Sequence, residues 1–168
     1  SRGHRALSIS DLDWQAIADG SIGLIRMNHV VEHLYDPRRV LVLLFQKLAP
    51  DGVIHIATPN SDSVGAERYR EHWFGLDCPR HIMIFNPKSL SKLAQDCGFQ
   101  SIEILHEPLT KDLVRSHLYR EVDEGKLDRK EVVAAHGDGI LALKFVREAR
   151  RATQLQRCDR IHLIARKR

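Results

Sequence analysis

The 168-residue sequence predicts an α/β fold, a mostly parallel sheet covered on both faces by helices, and three observations predict it. Residues 26 to 60 read as strand, short turn, helix, strand and loop. Strand-like runs go on alternating with helix-like runs downstream. Polar residues cluster just past the first two strands, where open α/β sheets place their ligands. With 43% hydrophobic residues the chain is long enough for one domain with a core and too short for two ordinary ones, so residues 1–168 are expected to form a single unit.

Each element has a local cause. Ile22 to Met27 is short, mostly apolar and preceded by the turn Asp19-Gly20-Ser21, as expected of a strand buried on both faces. Asp36 can cap a helix whose first residue is Pro37; Val40, Leu41, Leu44, Phe45 and Leu48 then recur at helical spacing until Pro50. Asp51-Gly52 turns the chain into a second β-rich run, Val53 to Ala57, closed by Thr58-Pro59-Asn60. Asn86-Pro87 opens another helix, with Leu90, Leu93, Ala94 and Cys97 on one face and Gly98 as its stop. Residues 101–105 predict a third strand and Arg160 to Ala165 a fourth. The charged stretch between them, Leu113 to Gln156, predicts two helices broken at Gly137-Asp138-Gly139.

Composition narrows the function classes. Lys+Arg 26 against Asp+Glu 22 leaves a net charge of +4, and the basic residues crowd toward the C-terminal end. That end holds Phe145 but no aromatics interleaved with the charges, so a solvated helix face is expected rather than a nucleic-acid surface. Cys78, Cys97 and Cys158 are odd in number and form no CxxC pair, which argues against a disulfide framework and fits a reducing cytoplasm. No apolar run approaches the roughly 20 residues needed to cross a bilayer, and no membrane partner is expected. Ser1 stands where an initiator methionine would, which suggests processing or a fragment.

The segment His29-Val30-Val31-Glu32-His33 has the H-x-x-E-H spacing of inverted zinc metalloproteases, in which two histidines on one helix face share a metal with a glutamate beside them. A zinc hydrolase through His29, Glu32 and His33 is therefore one reading, with Glu67, Glu103 or Glu121 available as a further ligand. The space between Met27 and Asp36 leaves barely two turns, however, and no metal is expected. Read as the loop past a strand, the same segment offers Asn28 as donor and acceptor, and His29 and His33 as residues able to take a proton from a substrate hydroxyl or amine. For His33 a hydrogen bond to backbone is the plainer role.

Asp19 to Ile25 leads into the first strand, Asn28 to Pro37 follows it, and Leu48-Ala49-Pro50-Asp51-Gly52 precedes the second. His72-Trp73-Phe74-Gly75-Leu76-Asp77-Cys78-Pro79-Arg80-His81 comes next, then Phe85-Asn86-Pro87 and Cys97-Gly98-Phe99. In that order these stretches resemble the DGSFD lead, the N-x-x-E-H-L-x-D-P continuation, the L-x-P-G-G turn and the segment after the fifth strand of class I S-adenosylmethionine-dependent methyltransferases of the broad small-molecule type. The likeness runs from about Ser10 to Phe99. It implies a partial doubly wound, mostly parallel Rossmann-like sheet with an antiparallel last strand, added C-terminal helices with residues 108–157 as an insertion, S-adenosylmethionine as cofactor and a small-molecule methyl acceptor. Asp11 matches the acid that accepts from the adenine amino group, and Leu12 the residue flanking that ring. Met27, Asn28 and His29 match positions beside the methionine part of the cofactor. Thr58, Asn60, Trp73, Arg80 and His81 border the acceptor, and His29 and His81 are the candidate catalytic groups. Arg80 would clamp a carboxylate or phosphate unless it forms a surface ion pair, and Trp73 would stack on a flat acceptor unless it is a core aromatic.

Three departures from the family pattern matter. Gly23 replaces an aspartate, and Asp51 replaces the first glycine of the turn, taxing a left-handed backbone. Upstream, residues 1–10 hold no counterpart of the first strand, the G-x-G turn or the acid that holds ribose hydroxyls; Ala6 to Ile9 can supply the third strand alone. Weak or absent cofactor binding by this chain alone is therefore expected, together with possible self-association through the uncovered strand at 22–27. A noncatalytic binding or assembly module on the same fold stays open beside the methyltransferase and zinc readings.

Overall fold

The computed structural model describes residue 14 and residues 16–128 and 139–167. Four strands form one sheet in the order β1-β2-β4-β3: β1 Ile22–Asn28, β2 Leu48–Pro59, β3 Gln100–Glu107 and β4 Arg160–Arg166. β1 and β2 pair in parallel, as a βαβ unit requires, and β4 runs antiparallel between β2 and β3. Three strands thus share one direction and the last opposes them. The candidate strand at Ala6 to Ile9 lies outside the described residues.

The expected helices form for the expected reasons. Asp36 accepts the Arg39 N–H at 2.9 Å at the start of α1 (Pro37–Lys47), and Asn86 forms a reciprocal capping box with Ser89 at the start of α3 (Pro87–Asp96). Gly98 adopts φ +99° beyond α3, a conformation that glycine reaches without penalty. α1 stops at Lys47, earlier than the apolar spacing predicts. Pro50 cannot continue a helix and biases Ala49 before it toward extended backbone, and the chain is already extended at Leu48. Asp51 carries the left-handed strain expected of it, at φ +61°.

Leu41 and Leu44 of α1 and Leu90 and Ala94 of α3 bury against Ile54 and Ile56 of β2 and Ile161, Leu163 and Ala165 of β4, forming the main core. The opposite face was expected to be covered too, and among the described residues it is not. It carries the stacked, hydrogen-bonded pair His55 and His162, a 64% exposed Leu24 and a 44% exposed Leu105. β1 is correspondingly one-sided: Met27 is buried while Leu24, Arg26 and Asn28 are exposed, so its apolar run is not a doubly buried strand. After β2 come α2 (Val64–Tyr69) and, between β3 and β4, α4 (Thr110–Asp123), α5 (Gly139–Lys144) and α6 (Val146–Gln154). Three described helices therefore stand where two were expected, α5 and α6 parting at Phe145; Gly137 and Asp138 lie outside the described residues. Tyr69, Trp73, Leu113, Val114, Leu118 and Phe145 make a second, smaller core among these segments.

Leu163 has no exposed surface at the centre of the sheet. Leu163→Ala is expected to lower unfolding stability by about 2–5 kcal/mol in urea denaturation, and Leu105→Ala, on the open face, to change it by only about 0.5 kcal/mol.

Candidate active site

Because β4 opposes its neighbours, its amino end lies beside the carboxyl ends of β2 and β3, on the same edge of the sheet as that of β1. Against that edge, residues 73–81 and α4 enclose a cleft of about 290 Å³. His29, His33 and Pro59 line it from the strand ends, Trp73, Phe74, Gly75, Asp77, Arg80 and His81 from the segment above, Asp112 and Arg115 from α4, and Asp159 and Arg160 from the start of β4.

One wall is organised by Glu32, a carboxylate with no exposed surface. The 29–33 segment makes only a single tight 3₁₀ turn, Val31–His33, before α1. Within it Glu32 Oε1 accepts from His29 Nδ1 at 2.9 Å, while Oε2 accepts from the buried Thr58 hydroxyl at 3.0 Å. Its backbone carbonyl accepts the N–H groups of Ile82 and Met83, which seats the 77–85 segment over the turn. Burial pushes the Glu32 carboxyl upward, but the hydrogen bonds from His29, from its own backbone N–H and from Thr58 outweigh it and hold the group below the usual carboxylate range. An ionised carboxylate only accepts, so His29 Nδ1 carries the proton and Nε2 keeps its lone pair. His33 Nδ1 donates to the Arg80 carbonyl at 2.8 Å and His81 Nδ1 to the Gly75 carbonyl at 2.7 Å, which fixes the same tautomer in both rings.

The other wall is acidic and aromatic. Asp159 Oδ1 accepts from Ser63 Oγ at 2.8 Å and from Trp73 Nε1 at 2.7 Å. Burial, against those two hydrogen bonds, pushes its carboxyl up to about 6. Asp112, 6% exposed, is raised by burial despite Arg160, whose guanidinium lies 3.6 Å away, and its Oδ1 has no hydrogen-bond partner among the described residues. Gly75 is needed here because a Cβ would lie 2.3 Å from the Trp73 ring.

The structure brings some of the sequence-predicted residues together and separates others. His29, Trp73, Arg80 and His81 line the cleft, and Thr58 stands behind it through Glu32. Asn60 does not line it: its amide donates to the Cys158 carbonyl and its oxygen accepts the Asp62 N–H, so both ends serve the chain. Met27 packs into the main core and Asn28 stays on β1, so neither borders the cleft; Asp11 and Leu12 lie outside the described residues. Trp73, 3% exposed and tied to Asp159, is a wall of the cleft rather than a free stacking surface. Arg80 is exposed and held by Asp77 at 2.6 Å. The helical H-x-x-E-H arrangement is absent from this segment: His29, at φ +53°, precedes the 3₁₀ turn and hydrogen-bonds Glu32. Glu67 and Glu121 pair instead with Arg157 and Lys126, away from the cleft. Sequence reading missed Asp159 and Asp112. An antiparallel last strand puts its first residues beside the end of β2, which could have found Asp159; Asp112 sits in a charged helix with nothing to mark it.

A family model described as methyltransferase domain matches residues 6–104, more than half of the chain. The chain belongs to this methyltransferase domain family. Among solved structures, the chain resembles a SAM-dependent methyltransferase, possible histamine N-methyltransferase, from Thermotoga maritima, with TM-score 0.57 and 14% identity over 90% of this chain and 58% of that one. It also resembles a SAM-dependent methyltransferase from Archaeoglobus fulgidus, with TM-score 0.55 and 17% identity over 92% of this chain and 63% of that one. A third is Haemonchus contortus phosphoethanolamine N-methyltransferase 2 in complex with phosphomonomethylethanolamine and S-adenosylhomocysteine, with TM-score 0.50, 16% identity, 90% coverage of this chain and 34% of that one. At these identities the likeness shows the shared fold, and the chain spans about three fifths of the first two structures. No curated protein matched the sequence.

Asp159 is expected to give the chain a pH-dependent stability. Its folded pKa lies above the unfolded one, so the folded state binds the extra proton between about pH 4 and 6 and stability falls as pH rises through that window. A shift of about two units corresponds to roughly 3 kcal/mol. Thermal melts from pH 4.5 to 8 are expected to show a steeper loss for the wild type than for Asp159→Asn, which keeps the accepting oxygen.

Proposed function

We propose that the chain is the substrate-side portion of a SAM-dependent methyltransferase acting on a small-molecule acceptor. The observation that carries this reading is His29, held through Nδ1 by the buried Glu32 so that Nε2 stays free beside the cleft at the carboxyl ends of β1 and β2. That is the edge at which open α/β sheets bind ligands. Family membership supplies the reaction class.

The residues present fit an acceptor better than the whole cofactor. A cleft of about 290 Å³ lies at the lower end of the range for ligand sites of roughly 300–1,000 Å³, and of the three described residues assigned to the cofactor, Met27, Asn28 and His29, only His29 lines it. S-adenosylmethionine, when bound, supplies an electrophilic methyl group. The chain's own residues position and deprotonate the acceptor. His29 Nε2 takes the proton of a hydroxyl or ammonium, and the Glu32 carboxylate stabilises the imidazolium that forms. His81, its Nδ1 committed to Gly75, presents Nε2 to the same space. Arg115 and Arg160 offer positive charge for an anionic substituent, and Asp77, Asp112 and Asp159 offer negative charge for an amine.

Titration calorimetry of S-adenosylmethionine into the 168-residue chain is expected to give weak or no binding, and micromolar affinity would overturn the half-site reading. In a chain extended upstream to bind the cofactor, His29→Ala is expected to lower the methyl-transfer kcat by about 100-fold without changing cofactor affinity. Unchanged kcat would remove the base assignment.

A further inference from the structure

We infer that Glu32, His33 and His81 form a site for one divalent transition-metal ion of the zinc class at the floor of the cleft. The atoms each can offer lie within 4.8 Å of one another, and His81 Nε2 is 4.0 Å from Glu32 Oε1. Two neutral imidazoles and one carboxylate, with further positions open, are the donor set of catalytic zinc and of the 2-His-1-carboxylate ions. Bonds of about 2.1 Å bring such ligands to within roughly 4 Å of each other, so side-chain closure of about an ångström completes the site.

The surroundings of the three ligands point the same way. A metal-binding histidine donates its other ring N–H to a carbonyl or carboxylate, which fixes the ring and aims the free nitrogen. Both histidines do this: His33 Nδ1 to the Arg80 carbonyl at 2.8 Å and His81 Nδ1 to the Gly75 carbonyl at 2.7 Å. Their rings meet edge to face with centroids 4.8 Å apart. The carboxylate is oriented as well, by Thr58 on Oε2 and by His29 on Oε1. Asp77 Oδ2, 3.8 Å from His81 Nε2, is within reach of a fourth position. Glu32 has no exposed surface and the His81 side chain only 7%, while His33 and His81 both line the cleft, so an ion held here has its open positions toward the acceptor.

This site differs from the helical H-x-x-E-H arrangement. His29 orients the carboxylate, and the second imidazole comes from His81, nearly fifty residues on. The inference stands on these groups whether or not the chain transfers methyl groups.

Chelator-stripped protein titrated with Zn²⁺ by calorimetry, and with Co²⁺ by visible absorption, tests it. One equivalent of each is expected, with ligand-field bands for Co²⁺. His33→Asn and His81→Asn are expected to weaken Zn²⁺ binding by about 100-fold or more, and His29→Ala, which removes an orienting partner, by about 10-fold. His162→Ala, on the far face of the sheet, is expected to leave it unchanged. Circular dichroism melts of each variant show that the fold is retained, and Glu32→Gln is used only if its melt matches. Absence of stoichiometric uptake, uptake that survives in both His33→Asn and His81→Asn, or loss that follows His162→Ala would overturn the site.

Discussion

Glu32 is the constraint on which the functional edge depends. A carboxylate with no exposed surface is costly to bury unless its oxygens are satisfied, and here each oxygen has a partner from a different place in the chain. His29 comes from the end of β1, Thr58 from the end of β2, and the Ile82 and Met83 N–H groups close on its carbonyl from the segment above. One residue thus fixes the spacing of two parallel strands at their tips and the height of the lid over them. Removing the carboxylate side chain would leave His29 and Thr58 without their shared acceptor, and the three pieces would lose their common reference.

The far wall works by the opposite electrostatics. Glu32 is held below its usual range by donors, whereas Asp159 is pushed up to about 6 by burial that two donors only partly offset. The two carboxyl groups are thus shifted in opposite directions by their environments, Glu32 buried behind the cleft and Asp159 lining it. The second core serves this wall. Trp73 ties Asp159 to residues 73–81, Gly75 lets the Trp73 ring lie flat against the backbone, and α4 brings Asp112 and Arg115 over the opening.

Much of the fold was legible because its signals are local. Asp36-Pro37 and Asn86-Pro87 start helices by capping physics that needs no tertiary context, and the apolar runs of β2 and β4 are buried as their composition demands. What escaped was decided by distant partners. The exposure of Leu24 depends on what lies along β1 and not on β1 itself, and the helix end at Lys47 reflects a proline three residues on. In the cleft, the type of residue was readable but its direction was not. Asn60 and His29 both follow a strand, yet one is consumed by the Cys158 carbonyl and the Asp62 N–H while the other faces the cleft. Periodicity carries no information about that choice, which is set by the antiparallel β4 arriving beside Asn60.

The same geometry explains why His29 and the pair His33 and His81 do not compete for one role. His29 binds Glu32 through Nδ1, which leaves Nε2 toward the cleft; His33 and His81 bind backbone carbonyls through Nδ1, and His81 Nε2 lies 4.0 Å from the same carboxylate. Backbone acceptors hold both of those rings with Nδ1 as the donor. His29 is seated instead by a carboxylate, which orients its ring at the cleft. Glu32 has lone pairs enough for both uses, one side toward His29 and the other toward the paired rings. An ion there would share the Glu32 carboxylate that seats His29, so metal occupancy and the placement of His29 are linked through a single side chain.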